Sequence, residues 1–412
     1  MTAPVDLEFR TISDLGVLMR DGVLSPVTLA EHCLGRIDAL NPALNAFITV
    51  TTELAREQAR RAERELHAGH WRGPLHGIPV AVKDFYDTAG VRTTAGLKQY
   101  AQRVPAHDAR MVEKLREAGA VLVGKTNMHA LGMGTTSLDS FFGPVVNPWS
   151  ARHVAGGSSG GSASAVAAGL CYATVDTDAV GSGRLPAAIC GVTCLKPTYG
   201  LLSAEGILAG EPTDPTIIAL SHPCVTARSV ADVMLVFEAL TDELPHDAAP
   251  VRRIGVVTNF VATAEEKATF ETIVARVATM EVERRETRVP FEAAKFDVRG
   301  IERDRALIET SLFADVDVLS LPTLTAPTPT VADARVRGAQ AVSPDNTFFC
   351  NYYGLPAISV PAGADGNGLP FGVQFVGPKG GDARVLAFAH AYQRHTSWRY
   401  VPPPVEVSSH DR

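Results

Sequence analysis

The sequence predicts an α/β protein, a single α/β/α layered domain with a central mixed, twisted sheet flanked by helices. Three observations point there. The apolar runs Ile78 to Val82, Val121 to Val123 and Cys171 to Val175 have the length and bulk of buried strands. Segments with helical spacing lie between them, and strands alternating with helices call for a layered fold. With 412 residues, 46% of them hydrophobic, the chain can bury a sizeable core.

The elements follow in order. Ser25-Pro26 reads as an N-cap and first helical position, and Val27, Ala30, Leu34 and Ile37 then repeat at helical spacing. Asn41-Pro42 is expected to stop that helix. Residues 52 to 68 are rich in Glu, Arg and Ala and predict a helix with a solvated charged face. Ile78 to Val82 is a short strand running straight into Lys83. Asp108 to Ala118 reads as a helix closed by Gly119, and Gly124-Lys125-Thr126-Asn127 as the loop after the next strand. Ser162 to Ala168, nearly all small, reads as a tightly packed helix. Further on, Ile254 to Val257 is a strand candidate, while Glu265 to Val282 and Asp297 to Ser311 are charged helical stretches. Asp333 to Asp345 is read as a rim loop. One domain is expected over residues 1–402, with a flexible Pro/Ser-rich tail at 403–412.

Composition excludes several classes. The formal net charge is −7 with acids spread along the chain, which disfavours nucleic-acid and anionic-membrane partners. No run of eighteen apolar residues predicts a membrane span, and Met1 to Arg10 lacks an apolar signal core. The six cysteines are scattered; Cys190 and Cys194 have no second pair at metal spacing, so no metal and no cofactor is expected. Small buried thiols in a reducing cytoplasm are the expectation.

The chemistry concentrates in two glycine-rich runs. Ser158 lies in Gly156-Gly157-Ser158-Ser159-Gly160-Gly161-Ser162, and Ser182, twenty-four residues on, in Asp178-Ala179-Val180-Gly181-Ser182-Gly183-Arg184. Glycine permits positive φ and close approach of other groups. Two serines on such backbones, with Lys83 upstream as a base, are the parts of a hydroxyl nucleophile relay. Lys83, Asn127 and the Asp178–Ser182 turn all follow predicted strands, so they can converge at strand C-terminal ends.

These runs, with Gly77-Ile78-Pro79-Val80-Ala81-Val82-Lys83-Asp84, Gly124-Lys125-Thr126-Asn127, Cys190 to Gly200, and the later Gly354 to Pro361 and Gly368 to Gln374, resemble the amidase signature family of serine hydrolases. The resemblance runs from about residue 8 to about residue 395. It implies the amidase signature fold, with residues about 240–345 as a variable, substrate-selecting region. It also implies a relay of Ser182 as nucleophile, Ser158 as proton relay and Lys83 as base. The Gly157–Ser158 peptide bond is expected to be cis.

On that reading, backbone N–H groups of Ala179, Val180, Gly181 and Ser182 form an oxyanion hole. Lys83 must act uncharged, which asks its pKa to fall by about three units, or roughly 4 kcal/mol, and burial can supply that. Asp178 and Arg184 are read as an ion pair holding the turn, Ser159 as a hydrogen-bond partner and Thr177 as support for either serine. Asn127 contacts substrate or caps its loop, and His129 faces the pocket or solvent. Met128, Met133, Gly134, Phe141, Tyr86 and Tyr100 belong to a pocket wall or to the core.

Two positions depart from the family pattern. Val180 stands where a glycine is usual, so the turn must use a negative φ there or be strained, and Gly183 stands where relatives often carry Ile. The Gly-Ser-Gly-Arg order is similar to that of allophanate hydrolases, which act on a urea-type amide. The expected substrates are small-molecule amides, anilides and carbamates, cleaved at the carbonyl–nitrogen bond by a monomer or homodimer. Two other readings remain: the amidase subunit of a glutamine-dependent tRNA amidotransferase, and a catalytically silent binding protein of the same fold.

Overall fold

In the computed structural model, which describes residues 7–242, 249–294, 297–396 and 400–405, eleven strands form one sheet. They are β1 (Phe47–Val50), β2 (Pro79–Lys83), β3 (Val121–Thr126), β4 (Ala173–Asp178), β5 (Thr193–Lys196), β6 (His222–Ala227), β7 (Arg253–Val257), β8 (Glu283–Thr287), β9 (Val318–Pro322), β10 (Ala357–Ala364) and β11 (Pro370–Val376). Their spatial order is β1-β3-β2-β4-β6-β5-β10-β11-β9-β7-β8. The pairs β2/β3, β2/β4, β7/β8 and β7/β9 are parallel and the rest antiparallel, so the sheet is mixed as the sequence predicts.

The central strands are buried along their whole length because helices cover both faces. One cluster of buried apolar side chains runs from Ile12 to Tyr392. Within it the helix Gly160–Ala167 is entirely buried, its small side chains letting the backbone lie close to the sheet. Ser25 caps the helix Pro26–Leu44 by accepting from the amides of Val27 and Thr28. The helix Thr52–His67 buries only Ala55, Gln58, Ala59 and Ala62 and leaves its charged face in solvent.

Four expectations are corrected. The helix begun at Pro26 does not stop at Asn41-Pro42 but continues to Leu44, ending at left-handed Asn45. Buried Leu40 and Leu44 anchor this last turn, and the Asn41 side chain bonds both the amide and the carbonyl of Phe47. Gly124, Lys125 and Thr126 are strand rather than loop, because β1 pairs antiparallel with this part of β3. Residues 333–337 of the expected rim loop belong to the helix Val331–Arg337, capped by Thr330. Within the expected tail, Pro403 is buried and Val405 packs on the core, while residues 406–412 lie outside the described ones.

Candidate active site

Parallel pairing of β2 with β3 and β4 puts Lys83 at the carboxyl end of an interior strand, third from one edge of the sheet. Its ammonium is fully buried and donates to Ser158 Oγ at 2.7 Å, Ser159 Oγ at 2.8 Å and Thr177 Oγ1 at 3.0 Å. Three donors meet three hydroxyls, and the Phe85 ring lies 5.2 Å away. Burial lowers the Lys83 pKa to about 8, against the upward pull of Asp176.

Ser158 and Ser159 precede the helix Gly160–Ala167, and the Gly157–Ser158 peptide bond is cis, as the family resemblance implies. The Ser158 carbonyl accepts from the His129 amide at 3.0 Å and the Ser137 hydroxyl at 3.3 Å. The Ser159 amide donates to the Ser182 carbonyl at 3.1 Å, which ties the two serine runs together. The Ser158 and Ser182 hydroxyls are not hydrogen-bonded to each other in this arrangement. Both side chains line one cavity of about 300 Å³.

The turn carrying Ser182 is built on Asp178. Its carboxylate accepts from the amides of Gly181, Gly183 and Arg184, from the Asn351 amide group and from the Arg184 guanidinium. Arg184 is fully buried and also donates to Gln374 Oε1, Asn351 Oδ1 and the Thr347 carbonyl. Burial alone would raise the Asp178 carboxyl, but Arg184 and these hydrogen bonds hold it well below the usual range. The expected ion pair is therefore present, with an N–O distance of 2.9 Å.

Gly181 carries the positive φ of the turn, +131°, and Val180 is spared it. The Gly181 amide donates to Asp178 at 2.7 Å, so Gly181 drops out of the expected oxyanion donors. A buried carboxylate needs such donors, and Gly181 supplies one. Nothing among the described residues accepts from the amides of Ala179, Val180 and Ser182, and these three residues line the cavity. At Gly183 a β-carbon would stand 2.6 Å from Cys224 Sγ and 2.8 Å from Cys194 Sγ, so the two thiols fill the space where a side chain would go.

The cavity is walled by Phe85, Leu131, Gly132, Met133, Gly134, Thr135, Ile217, Ser221, Gln340 and Pro344, beside the two serines, Thr177, Ala179 and Val180. None of these described residues carries a charge. Of the expected substrate contacts, Met133 and Gly134 are in this wall, and Asn127, Met128 and His129 are not. Asn127 is spent on its own loop: it donates to the carbonyls of Asn45 and Gly143 and accepts from Met128 and Ser140. Met128 is core, and His129 is buried against Gly134 and Thr136, neither solvent-facing nor in the wall. Tyr86 is buried with its hydroxyl on the Asp176 carbonyl, and Phe141 and Tyr100 stand outside the wall. Phe85 sits two positions after Lys83 and was within reach of a sequence reading. Ile217, Ser221, Gln340 and Pro344 come from distant segments that carry no local signal.

Among the described residues no helix is long and apolar enough to cross a membrane, and no group of three or more His, Cys, Asp or Glu is placed to hold a metal ion. All six cysteines are buried and unpaired.

Known proteins are similar to this chain over nearly its whole length. The model of the Amidase family matches residues 28–295 and 257–386. A glutamyl-tRNA(Gln) amidotransferase subunit from Chromohalobacter salexigens is 32% identical, covering 96% of this chain and 98% of the relative. The structure of 6-aminohexanoate cyclic dimer hydrolase complexed with substrate superposes with a TM-score of 0.83 at 26% identity, covering 97% of this chain and 100% of that one. Native peptide amidase from Stenotrophomonas maltophilia superposes with a TM-score of 0.79 at 26% identity, covering 96% and 98%.

Proposed function

The chain belongs to the amidase signature family of hydrolases, and from that membership we propose that it cleaves the carbon–nitrogen bond of a neutral amide, anilide or carbamate through an acyl-Ser182 intermediate. The observation that carries this reading is the buried 2.7 Å bond between Lys83 and Ser158, beside a cavity that Ser158 shares with Ser182.

The chemistry follows from the parts. An amide carbonyl is a poor electrophile and an amine a poor leaving group, so the reaction needs a nucleophile, an oxyanion stabiliser and an acid. Uncharged Lys83 draws the proton of Ser158, which draws that of Ser182 as its oxygen attacks the carbonyl carbon. The amides of Ala179, Val180 and Ser182 are the donors free to meet the oxyanion. The proton then returns through Ser158 to the departing nitrogen. Water releases the acyl group from Ser182; from a carbamate cut at its carbon–nitrogen bond that group is an alkoxycarbonyl, and the carbonic acid monoester released loses carbon dioxide to leave the alcohol.

The uncharged lining supports neutral substrates. A charged group buried there would forfeit its hydration with no opposite charge to meet it. This bears on the second reading, a glutamine-dependent amidotransferase component, which the 32% identity to such a protein keeps in view. Free glutamine carries an ammonium and a carboxylate, and this wall offers neither a partner.

The test is a panel of p-nitroanilides, aryl carbamates, urea derivatives and glutamine, run beside Ser182→Ala and Lys83→Ala, with fluorophosphonate labelling of Ser182. Turnover of neutral substrates by the isolated chain, lost in both variants, is the expected result. Glutamine turnover that appears only with partner subunits would move the reading to the amidotransferase. Failure of Ser182 to label would remove the acyl-enzyme altogether.

A further inference from the structure

Asp176 is fully buried one residue before Thr177, and its polar atoms are only half answered. Oδ2 accepts from the hydroxyls of Thr174 and Thr226, each at 2.7 Å. Oδ1 has no hydrogen-bond partner among the described residues. A buried carboxylate ordinarily sits on a cation or a full set of donors, because desolvating its charge is costly.

Strand register shows what lies beside it. β2 and β4 run parallel with Ala81 opposite Thr174 and Val82 opposite Val175. Side chains alternate along a strand, so Thr174 and Asp176 share a face with Ala81 and Lys83. Lys83 and Asp176 are thus neighbours on one face of adjacent strands. The lysine's own hydrogen bonds all go to hydroxyls and none to a carboxylate.

We propose that Asp176 is a positioning residue whose carboxylate is the counter-charge for the Lys83 ammonium formed when Ser182 gives up its proton. This rests on the relay proposed above. In that step the Ser182 O–H bond breaks as its oxygen bonds the carbonyl carbon. The Ser182 proton passes to Ser158, the Ser158 proton to Lys83 Nζ, and the carbonyl π electrons to the oxyanion. Nothing is oxidised or reduced. A positive charge then appears on a buried amine, and Asp176 answers it through space. When the proton leaves for the amine product, Lys83 is neutral again.

The surroundings leave Asp176 this task. Facing Lys83 are Asp176 and Asp178 of β4, Cys224 of β6, Cys194 of β5 and His129. Asp178 is committed to Arg184, the Cys224 thiol is pushed up by burial, and burial lowers His129. Of the charges acting on Lys83, Asp176 raises it most. Facing Asp176 are Lys83, the Thr174 and Thr226 hydroxyls, Cys224, Cys171 and the Tyr86 phenol, which donates to the Asp176 carbonyl. Burial raises the Asp176 carboxyl above its ordinary value; Ser162 on the facing helix, which also holds Thr126 at 2.6 Å, opposes this most, and the Thr226 and Thr174 hydroxyls and Lys83 oppose it too. Burial keeps both Tyr86 and Cys171 protonated.

The experiment follows the rate of fluorophosphonate labelling of Ser182 from pH 6 to 10 in the intact chain, its Asp176→Asn variant and its Thr226→Val variant. Removing the carboxylate charge lets the Lys83 pKa fall. The midpoint of the rise in rate should therefore move to lower pH by roughly one unit in D176N. The rate above pH 9 should fall up to about ten-fold, because a weaker base draws the proton less well. Thr226→Val removes one donor to the carboxylate and should move the midpoint the same way by less, which keeps the question answerable if D176N folds poorly. A midpoint unmoved in both variants, whatever the loss of rate, overturns the proposal and leaves Asp176 a structural residue. A parent protein that never labels overturns the relay itself, and this inference with it.

Discussion

Lys83 Nζ stands 2.7 Å from Ser158 Oγ, inside a buried shell where its other two bonds also end on hydroxyls. Such a shell satisfies an ammonium geometrically without neutralising it, and the two consequences separate experimentally.

The first concerns stability. Lys83 has a folded pKa of about 8 against an ordinary lysine value of 10.5. Below pH 8 both folded and unfolded lysine are charged, and the buried one costs about 3 kcal/mol. Between about 8 and 10.5 only the unfolded lysine holds its proton, so stability rises with pH and the cost fades. Lys83→Met should therefore melt at a higher temperature than the parent at pH 7, with no hydrolytic activity. The gain should shrink by pH 10. Scanning calorimetry at the two pH values checks it, and a variant that melts lower at pH 7 would contradict the assigned cost.

The second concerns rate. Only the uncharged amine serves as base. At pH 7 about one lysine in ten is uncharged, and at pH 8 about half. The acid limb of kcat/KM for a neutral anilide should thus have its midpoint near pH 8, with a plateau above pH 9. A limb centred near 6 would point to a different base.

Asp178→Ala should cost far more than a surface carboxylate. It removes the acceptor of three backbone amides and leaves Arg184 charged and unpaired in the interior. Breaking one side of a buried pair costs about 3–5 kcal/mol. The expected result is a large drop in melting temperature with loss of Ser182 labelling. Asp178→Asn should lose less, because it keeps an oxygen acceptor.

The residues of the proposed relay were legible because each sits in a run whose composition already demands an unusual backbone: Lys83 at the end of an apolar strand, Ser158 and Ser182 among glycines. The Asp178–Arg184 pair was legible because six positions across a tight turn bring opposite charges together. The pocket wall was mostly not legible. Ile217 and Pro344 reach the cavity from segments far from Ser182 in sequence, and only tertiary packing puts them there. Asn127 reads in sequence as a substrate contact or a loop cap, and the loop cap is what the structure shows. A polar residue after a strand looks available to ligands, but buried loop carbonyls consumed its donors first. Pro42 misled because two buried leucines hold the last helical turn despite the amide that proline lacks.

Gly183 has an ordinary φ of −98°, so substituting it tests space and not backbone conformation. Gly183→Ala should lower stability by about 1–3 kcal/mol, since the added methyl overlaps two buried thiols. Replacing Cys224 with Ala in the same chain should recover part of that loss by clearing the tighter of the two contacts, 2.6 Å against 2.8 Å. Equal stability of the single and double variants in urea would show that the thiols are not the obstacle.

Leu131 combines three features seldom found together. It has a left-handed φ of +51°, it is 42% exposed, and it lines the cavity that holds Ser158 and Ser182. A leucine in that conformation costs on the order of 1 kcal/mol, and asparagine adopts it more readily. An apolar side chain held there at a cost, and only partly covered, is suited to contact with substrate. Leu131→Asn should therefore keep or raise the melting temperature. It should also raise KM several-fold for an anilide with a bulky apolar group, and leave a small aliphatic amide almost unchanged. Equal losses on both substrates, or a lower melting temperature, would mean that Leu131 packs the loop and does not touch substrate.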